Sequence, residues 1–282
     1  MKKIETLAQL QQVALYIYKD LLACCEQHGL KLYLLGGTLI GAVRHKGFIP
    51  WDDDVDVCMS RPDFEKLLEV TGGQISDKCA IINPAGNPDF KGCVPVAVYK
   101  NSSLLSKQFK EAEKLCIGIS IFVYDGAPKS KLARAYYYTK MYILRAEHAL
   151  CRADFKNVNT KAAKLVGPIL SPFFKSEDVF KYREKILKWQ KKYPYETSEY
   201  VSTNADNSSW KEVFPRRSFE QAVELEFEGK KCYAFSHYKE HLTRYYGDYM
   251  QLPPEEARIP KHSFDAEIED SFVFEKTATA NL

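Results

Sequence analysis

Leu7, Leu10, Val13, Ala14, Ile17, Leu21 and Leu22 recur every three or four residues. That spacing predicts an amphipathic helix over residues 5–28, closed by His28-Gly29. A short apolar run at residues 31–35 predicts a strand. Gly36-Gly37 breaks it, and a short helix is expected from Thr38 to about His45. Gly47 and Pro50 mark a loop. From Asp54 to Met59 polar and apolar positions alternate, as in a half-buried strand. Ser60-Arg61-Pro62-Asp63 then offers a cap, an early proline and an acid at the positive helix end, predicting a helix to about Val70.

Further strands are expected at residues 80–83, 94–100 and 115–124, with Ile117, Ile119 and Ile121 on one face of the last. Asp125-Gly126-Ala127-Pro128 should close that strand as a turn. Beyond it the texture becomes helical. Long helices are expected at 130–151 and 176–193, with helix and loop between them. A hairpin at 224–227 and 231–235 turns at Glu228-Gly229, and a short helix follows at 237–246. No internal repeat or low-complexity segment interrupts this order. The pattern predicts an α/β (α+β) protein in one unit, 1–282. A mixed-sheet core occupies 1–126, and a mostly helical region with a C-terminal hairpin occupies 127–282.

Composition narrows the class. At 282 residues with 45% hydrophobic positions the chain can bury a sizeable core. A formal net charge of +3 gives no support to general nucleic-acid binding. Eight cysteines are present and none makes a C-x-x-C pair, so they read as reduced, mostly buried residues rather than zinc ligands. The first twenty residues lack the continuous apolar core of a secretory signal, and no run approaches a membrane span. A cytoplasmic location is expected, with peripheral contact at the inner face of the membrane left open.

The chemistry concentrates in Trp51-Asp52-Asp53-Asp54-Val55-Asp56. Carboxylates crowded beside core residues repel one another and need a counter-charge. On a strand Asp54 and Asp56 would share a face, with Cα atoms ~6.5 Å apart. Such a pair suits a hard divalent cation, Mg²⁺ or Mn²⁺. Asp52 and Asp53 would shape the turn, with Asp53 facing away from Asp54. Gly36 and Gly37 at a strand-to-helix break would let phosphate approach free N–H groups. Thr38 would cap the helix or donate to the phosphate, and Arg44 and His45 would add positive charge. The plainer alternative, a loop with a helix cap, stays open on spacing alone.

The whole run Gly36 to Asp56, Gly-Gly-Thr-Leu-x-Gly-Ala-x-Arg-His-Lys-Gly-Phe-Ile-Pro-Trp-Asp-Asp-Asp-x-Asp, closely resembles the signature of the LicD family of phosphotransferases. A second resemblance lies at Leu225-Glu-Phe-Glu-Gly229 and at Tyr245-Tyr-Gly-Asp-Tyr-Met-x-Leu-Pro-Pro-Glu-Glu256. The resemblance implies a nucleotidyltransferase-like core. It also implies transfer of phosphocholine from CDP-choline to a hydroxyl of a cell-surface glycan precursor, releasing CMP; that precursor is soluble or lipid-linked. Donor phosphates would fall at Gly36, Gly37 and Thr38, and the metal and catalytic centre at Asp54 and Asp56. Transfer of glycerol or ribitol phosphate from its CDP donor is the near alternative. One departure stands out. Ser120, in Ile119-Ser-Ile-Phe-Val-Tyr-Asp-Gly126, occupies the place where the resemblance implies a third carboxylate. Serine cannot act as a base near neutral pH. Three cases therefore stay open: altered metal use, an acceptor activated by another group, or a weakened, nucleotide-binding homologue. Asp125 could replace the missing group only if the backbone carried it round.

Overall fold

The computed structural model describes residues 1–106, 109, 113–155, 161–203, 209–260 and 265–275. A two-residue strand, β1 (Lys2–Lys3), leads into helix α1 (Leu7–Gln27). Thr6 Oγ1 accepts from the Gln9 amide while the Gln9 side chain accepts from the Thr6 amide, a reciprocal cap that fixes where α1 begins. Its apolar stripe, from Leu10 to Cys25, is buried and packs against the central sheet.

Next come β2 (Tyr33–Leu34), α2 (Gly36–His45), β3 (Asp56–Ser60) and α3 (Arg61–Thr71). Ser60 caps α3 by accepting from the Asp63 amide, as its sequence predicts, and Gly72 ends the helix at φ 61°. The chain then lays down β4 (Cys79–Ile82), β5 (Val96–Tyr99), β6 (Ser102–Ser106), β7 (Glu113–Leu115) and β8 (Gly118–Ala127). Helices α4 (Lys131–Arg152), α5 (Lys161–Leu170) and α6 (Val179–Gln190) follow. The remainder is β9 (Tyr200–Thr203), β10 (Phe214–Pro215), β11 (Ala222–Phe227), β12 (Lys230–Phe235), α7 (Tyr238–Tyr246) and β13 (Ala266–Ile268).

The central sheet runs β10-β9-β8-β3-β2, with β5 on the first residues of β8 and β4 on β5. β3 and β8 are parallel, and their register places Asp56 opposite Ser120. A second sheet runs β1-β13-β6-β7, and β11–β12 is a hairpin against β2 and α2. α4 and α6 pack together on a smaller cluster of Met141, Leu144 and Ile186. The eight cysteines are free thiols, six of them buried.

Two differences from the sequence reading bear on the site. β8 does not turn at Asp125-Gly126. Both residues stay in the ladder, paired with Ser202 and Val201 of β9, a strand the hydrophobic pattern did not announce. A side chain on Gly126 would lie 2.5 Å from the Tyr193 carbonyl, so that glycine serves a close crossing rather than a turn. Strands β9, β10 and β13 also bring the second half of the chain into both sheets. Among the described residues no helix is long and apolar enough to cross a membrane.

Candidate active site

Val55, Val57 and Met59 are fully buried, as a strand with one core face requires, and Asp56 sits half-buried on the other side. The ladder, however, begins at Asp56. Asp54 therefore precedes the strand, and its direction is set by the loop whose turn the Asp52 amide closes on the Ile49 carbonyl at 2.9 Å. In that loop one carboxylate oxygen each from Asp52, Asp53 and Asp54 lies within 4.8 Å of the others. Asp53 does not turn away from Asp54: strand alternation does not govern residues ahead of the ladder. The donors gathered there are hard oxygens, the set that a magnesium- or manganese-like ion accepts.

The glycine pair explains how these charges are tolerated. α2 begins at Gly36, two positions earlier than expected, with Leu35 preceding it and offering no side-chain cap. Gly36 has φ +56°, and a side-chain carbon there would lie 3.3 Å from Tyr246 Oη and 3.4 Å from Asp56 Oδ2. At Gly37 it would lie 2.7 Å from Asp52 Oδ2. The two glycines thus let two carboxylates approach the positive end of α2. Thr38, now inside the first turn, does not cap. Its buried hydroxyl accepts from the Asp56 amide at 2.9 Å and pins β3 to α2.

Arg44 reaches the cleft beside this cluster, with Nε and Nη1 engaged. Nε donates to His45 Nε2 at 2.9 Å, and Nη1 donates to the carbonyls of Tyr249 at 2.8 Å and Gln251 at 3.2 Å. Burial and the nearby Arg258 lower its pKa. Burial and Arg44 lower that of His45, which favours a neutral ring able to accept from Arg44. His45 packs edge-on against Trp51, whose own ring lies under the Arg258 guanidinium. The sequence reading placed both basic residues at a phosphate. In the structure Arg44 lines the cleft and braces α2 against residues 249–251, while His45 packs on Trp51.

The cleft holds about 510 Å³. One wall is Gly37, Ile40, Trp51 and Asp52; the other is Tyr246, Asp248, Tyr249 and the Leu252-Pro253-Pro254 segment. The two stretches singled out in the sequence therefore face one another across a single space. Arg44 is the one cation among the described residues lining it. A smaller cavity of about 100 Å³ lies by Arg61 and Ile121. It opens on the other face of β8 from Ser120.

The model of the LicD/FKTN/FKRP nucleotidyltransferase domain matches residues 29–162. Over 280 residues, 95% of this chain and 100% of the relative, the chain is 33% identical to the lipopolysaccharide cholinephosphotransferase LicD of Haemophilus influenzae. The chain belongs to the LicD family of phosphotransferases. A more distant likeness, 36% over 75 residues, joins 26% of this LicD-family chain to 14% of the human and mouse ribitol 5-phosphate transferases FKRP.

Within this LicD-family member, β8 decides what can stand near Asp56. Ser120 is its register partner and shares its face. Asp125 is an odd number of residues further on and points the opposite way. It is buried and bound by Arg61 through Nε at 2.8 Å and Nη2 at 2.7 Å. Burial raises its pKa, with Arg61 opposing. Asp125 is therefore a structural ion pair and does not replace the missing carboxylate. Tyr246, by contrast, received no role from sequence. It sits in the Tyr245-Tyr-Gly-Asp stretch, and only the fold brings its hydroxyl over Gly36 beside Asp56.

Proposed function

We propose that the protein transfers phosphocholine from CDP-choline to a hydroxyl of a cell-surface glycan precursor, soluble or lipid-linked. The observation that carries this reading is the full-length likeness to a lipopolysaccharide cholinephosphotransferase. The cleft supports it, because the stretches that resemble the family line opposite walls.

In the reaction the acceptor oxygen attacks the phosphorus that bears choline. The bond from that phosphorus to the oxygen shared with CMP breaks, CMP departs with the electron pair, and a site carboxylate takes the hydroxyl proton. Such transfers have little covalent demand on the protein, which must hold donor and acceptor in line and manage charge. The α2 N-terminus can contribute N–H groups to the donor phosphates. Asp54 and Asp56, with Asp52 and Asp53 beside them, would hold Mg²⁺ or Mn²⁺. When bound, the ion would neutralise charge on the donor phosphates. A cation fits here because anionic phosphates would otherwise meet a carboxylate cluster in a cleft whose lining, among the described residues, offers a single arginine. Ribitol or glycerol phosphate is the second reading, favoured by the partial likeness to ribitol 5-phosphate transferases.

The test is CMP release from CDP-choline, CDP-glycerol and CDP-ribitol with Mg²⁺ or Mn²⁺ and glycan acceptors. CMP from CDP-choline, lost with chelator and reduced at least about a hundredfold in Asp54→Ala or Asp56→Ala, is expected. Wild-type rates in either variant would remove the metal assignment. Release from another donor alone would change the substrate. Donor binding by calorimetry without any CMP would make this a nucleotide-binding member that no longer turns over.

A further inference from the structure

α5 and the turn after it form an apolar face that is exposed among the described residues. Leu165 is 73% exposed, Ile169 65% and Phe173 81%, with Val166 and Leu170 also exposed. On a helix, Leu165, Val166, Ile169 and Leu170 fall within an arc of about 140°. They make one stripe, not scattered surface positions. Gly167 lies outside that arc and is buried against Phe155, whose ring occupies the place of a side chain there. The helix is thus held from behind with its apolar side outward.

The segment that carries the stripe is itself basic. From Lys161 to Lys175 the sequence carries three lysines and no acidic residue. Phe174 packs on Tyr182 of α6, with ring centroids 6.1 Å apart, and Lys181 and Lys185 lie 5.5 and 4.9 Å from that ring. The two acids that follow, Glu177 and Asp178, already face Lys175 at 3.8 Å and Lys181 at 3.7 Å. A protruding helix with an apolar outer stripe, and with lysines on its polar side and just beyond its end, has the form of an element that lies in the plane of a membrane surface. Its side chains enter the acyl boundary while lysines meet anionic headgroups.

We propose that residues 161–175 dock this protein onto an anionic lipid bilayer. The inference does not depend on which donor or acceptor is used.

The full chain would be sedimented with vesicles of phosphatidylcholine, alone or mixed with phosphatidylglycerol, without donor present. Binding to the anionic vesicles, weakened by salt, is expected. It should fall at least about tenfold both in a Leu165→Ser/Ile169→Ser/Phe173→Ser variant and in a Lys164→Glu/Lys175→Glu variant. Circular dichroism and unchanged thermal unfolding would show that each variant remains folded. Three results would overturn the proposal: no sedimentation with any vesicle, equal binding by the triple variant, or a dimer that the triple variant dissociates in a chain that ignores vesicles. In the last case a second copy covers this face. Since no turnover is read, failure here leaves the transfer reading untouched.

Discussion

Ser120 faces Asp56 across a parallel ladder, where a carboxylate would reach the same ion or the same hydroxyl. Ser120→Asp should therefore raise metal-dependent CMP release, by about tenfold or more if the missing group limits the wild type. An unchanged rate would mean that another side chain already fills the role. Asp125 is not a candidate, because its oxygens are committed to Arg61 on the opposite side of the strand. Apolar alternation at Ile117, Ile119 and Ile121 put Ser120 on a strand, and the family resemblance implied that this strand neighbours Asp56, as the ladder shows. It could not place Tyr246, because nothing local states that α7 ends above Gly36.

At the scale of elements, the junction of α2 and β3 is held at Asp56 by two hydrogen bonds, one to its carbonyl from the Leu35 amide and one from its amide to the Thr38 hydroxyl. Thr38→Val keeps the shape of the side chain but leaves the Asp56 amide without its acceptor. We expect a loss of about 1–3 kcal/mol in urea unfolding. CMP release at saturating donor should fall about tenfold in the folded variant, because Asp56 would no longer be held at the helix end. Full turnover with reduced stability would confine Thr38 to scaffolding. The hydrophobic periods foretold α1, α3, α4 and the hairpin well, because each has a long apolar stripe or an explicit cap. They failed at β9, β10 and β13, which are two to four residues long. Such strands exist only through partners distant in sequence. The start of β3 was misjudged for a similar reason: Asp54 has the right neighbours for alternation but lies ahead of the pairing.

Across the whole molecule, His148 links α4 to the segment before β5. Its Nε2 lies 2.8 Å from the Lys91 carbonyl, and burial, reinforced by Arg152, Arg145 and Arg183, pushes its pKa down from 6.5 to about 4. The unfolded chain therefore binds this proton more readily than the folded one. Its contribution to stability is complete above about pH 6.5 and is lost as pH falls toward about 4, amounting to about 2 kcal/mol by pH 5. Urea unfolding at pH 7 and pH 5 should show this loss, and His148→Gln should lose less between the same two points. An identical pH dependence in the variant would assign the loss to other groups.

The second sheet has its own consequence for how the chain is made. β13 lies between β1 and β6, so residues 266–268 are needed to join them. Residues 1 to 268 must all have left the ribosome before that sheet can close. Until then β6 offers an unpaired backbone edge to any neighbouring nascent chain, and this is the interval in which chaperones matter most. A chain truncated before residue 266 would keep the aspartates of residues 52–56 and leave β6 with an open strand edge. Its fate would be set by aggregation, not by loss of chemistry.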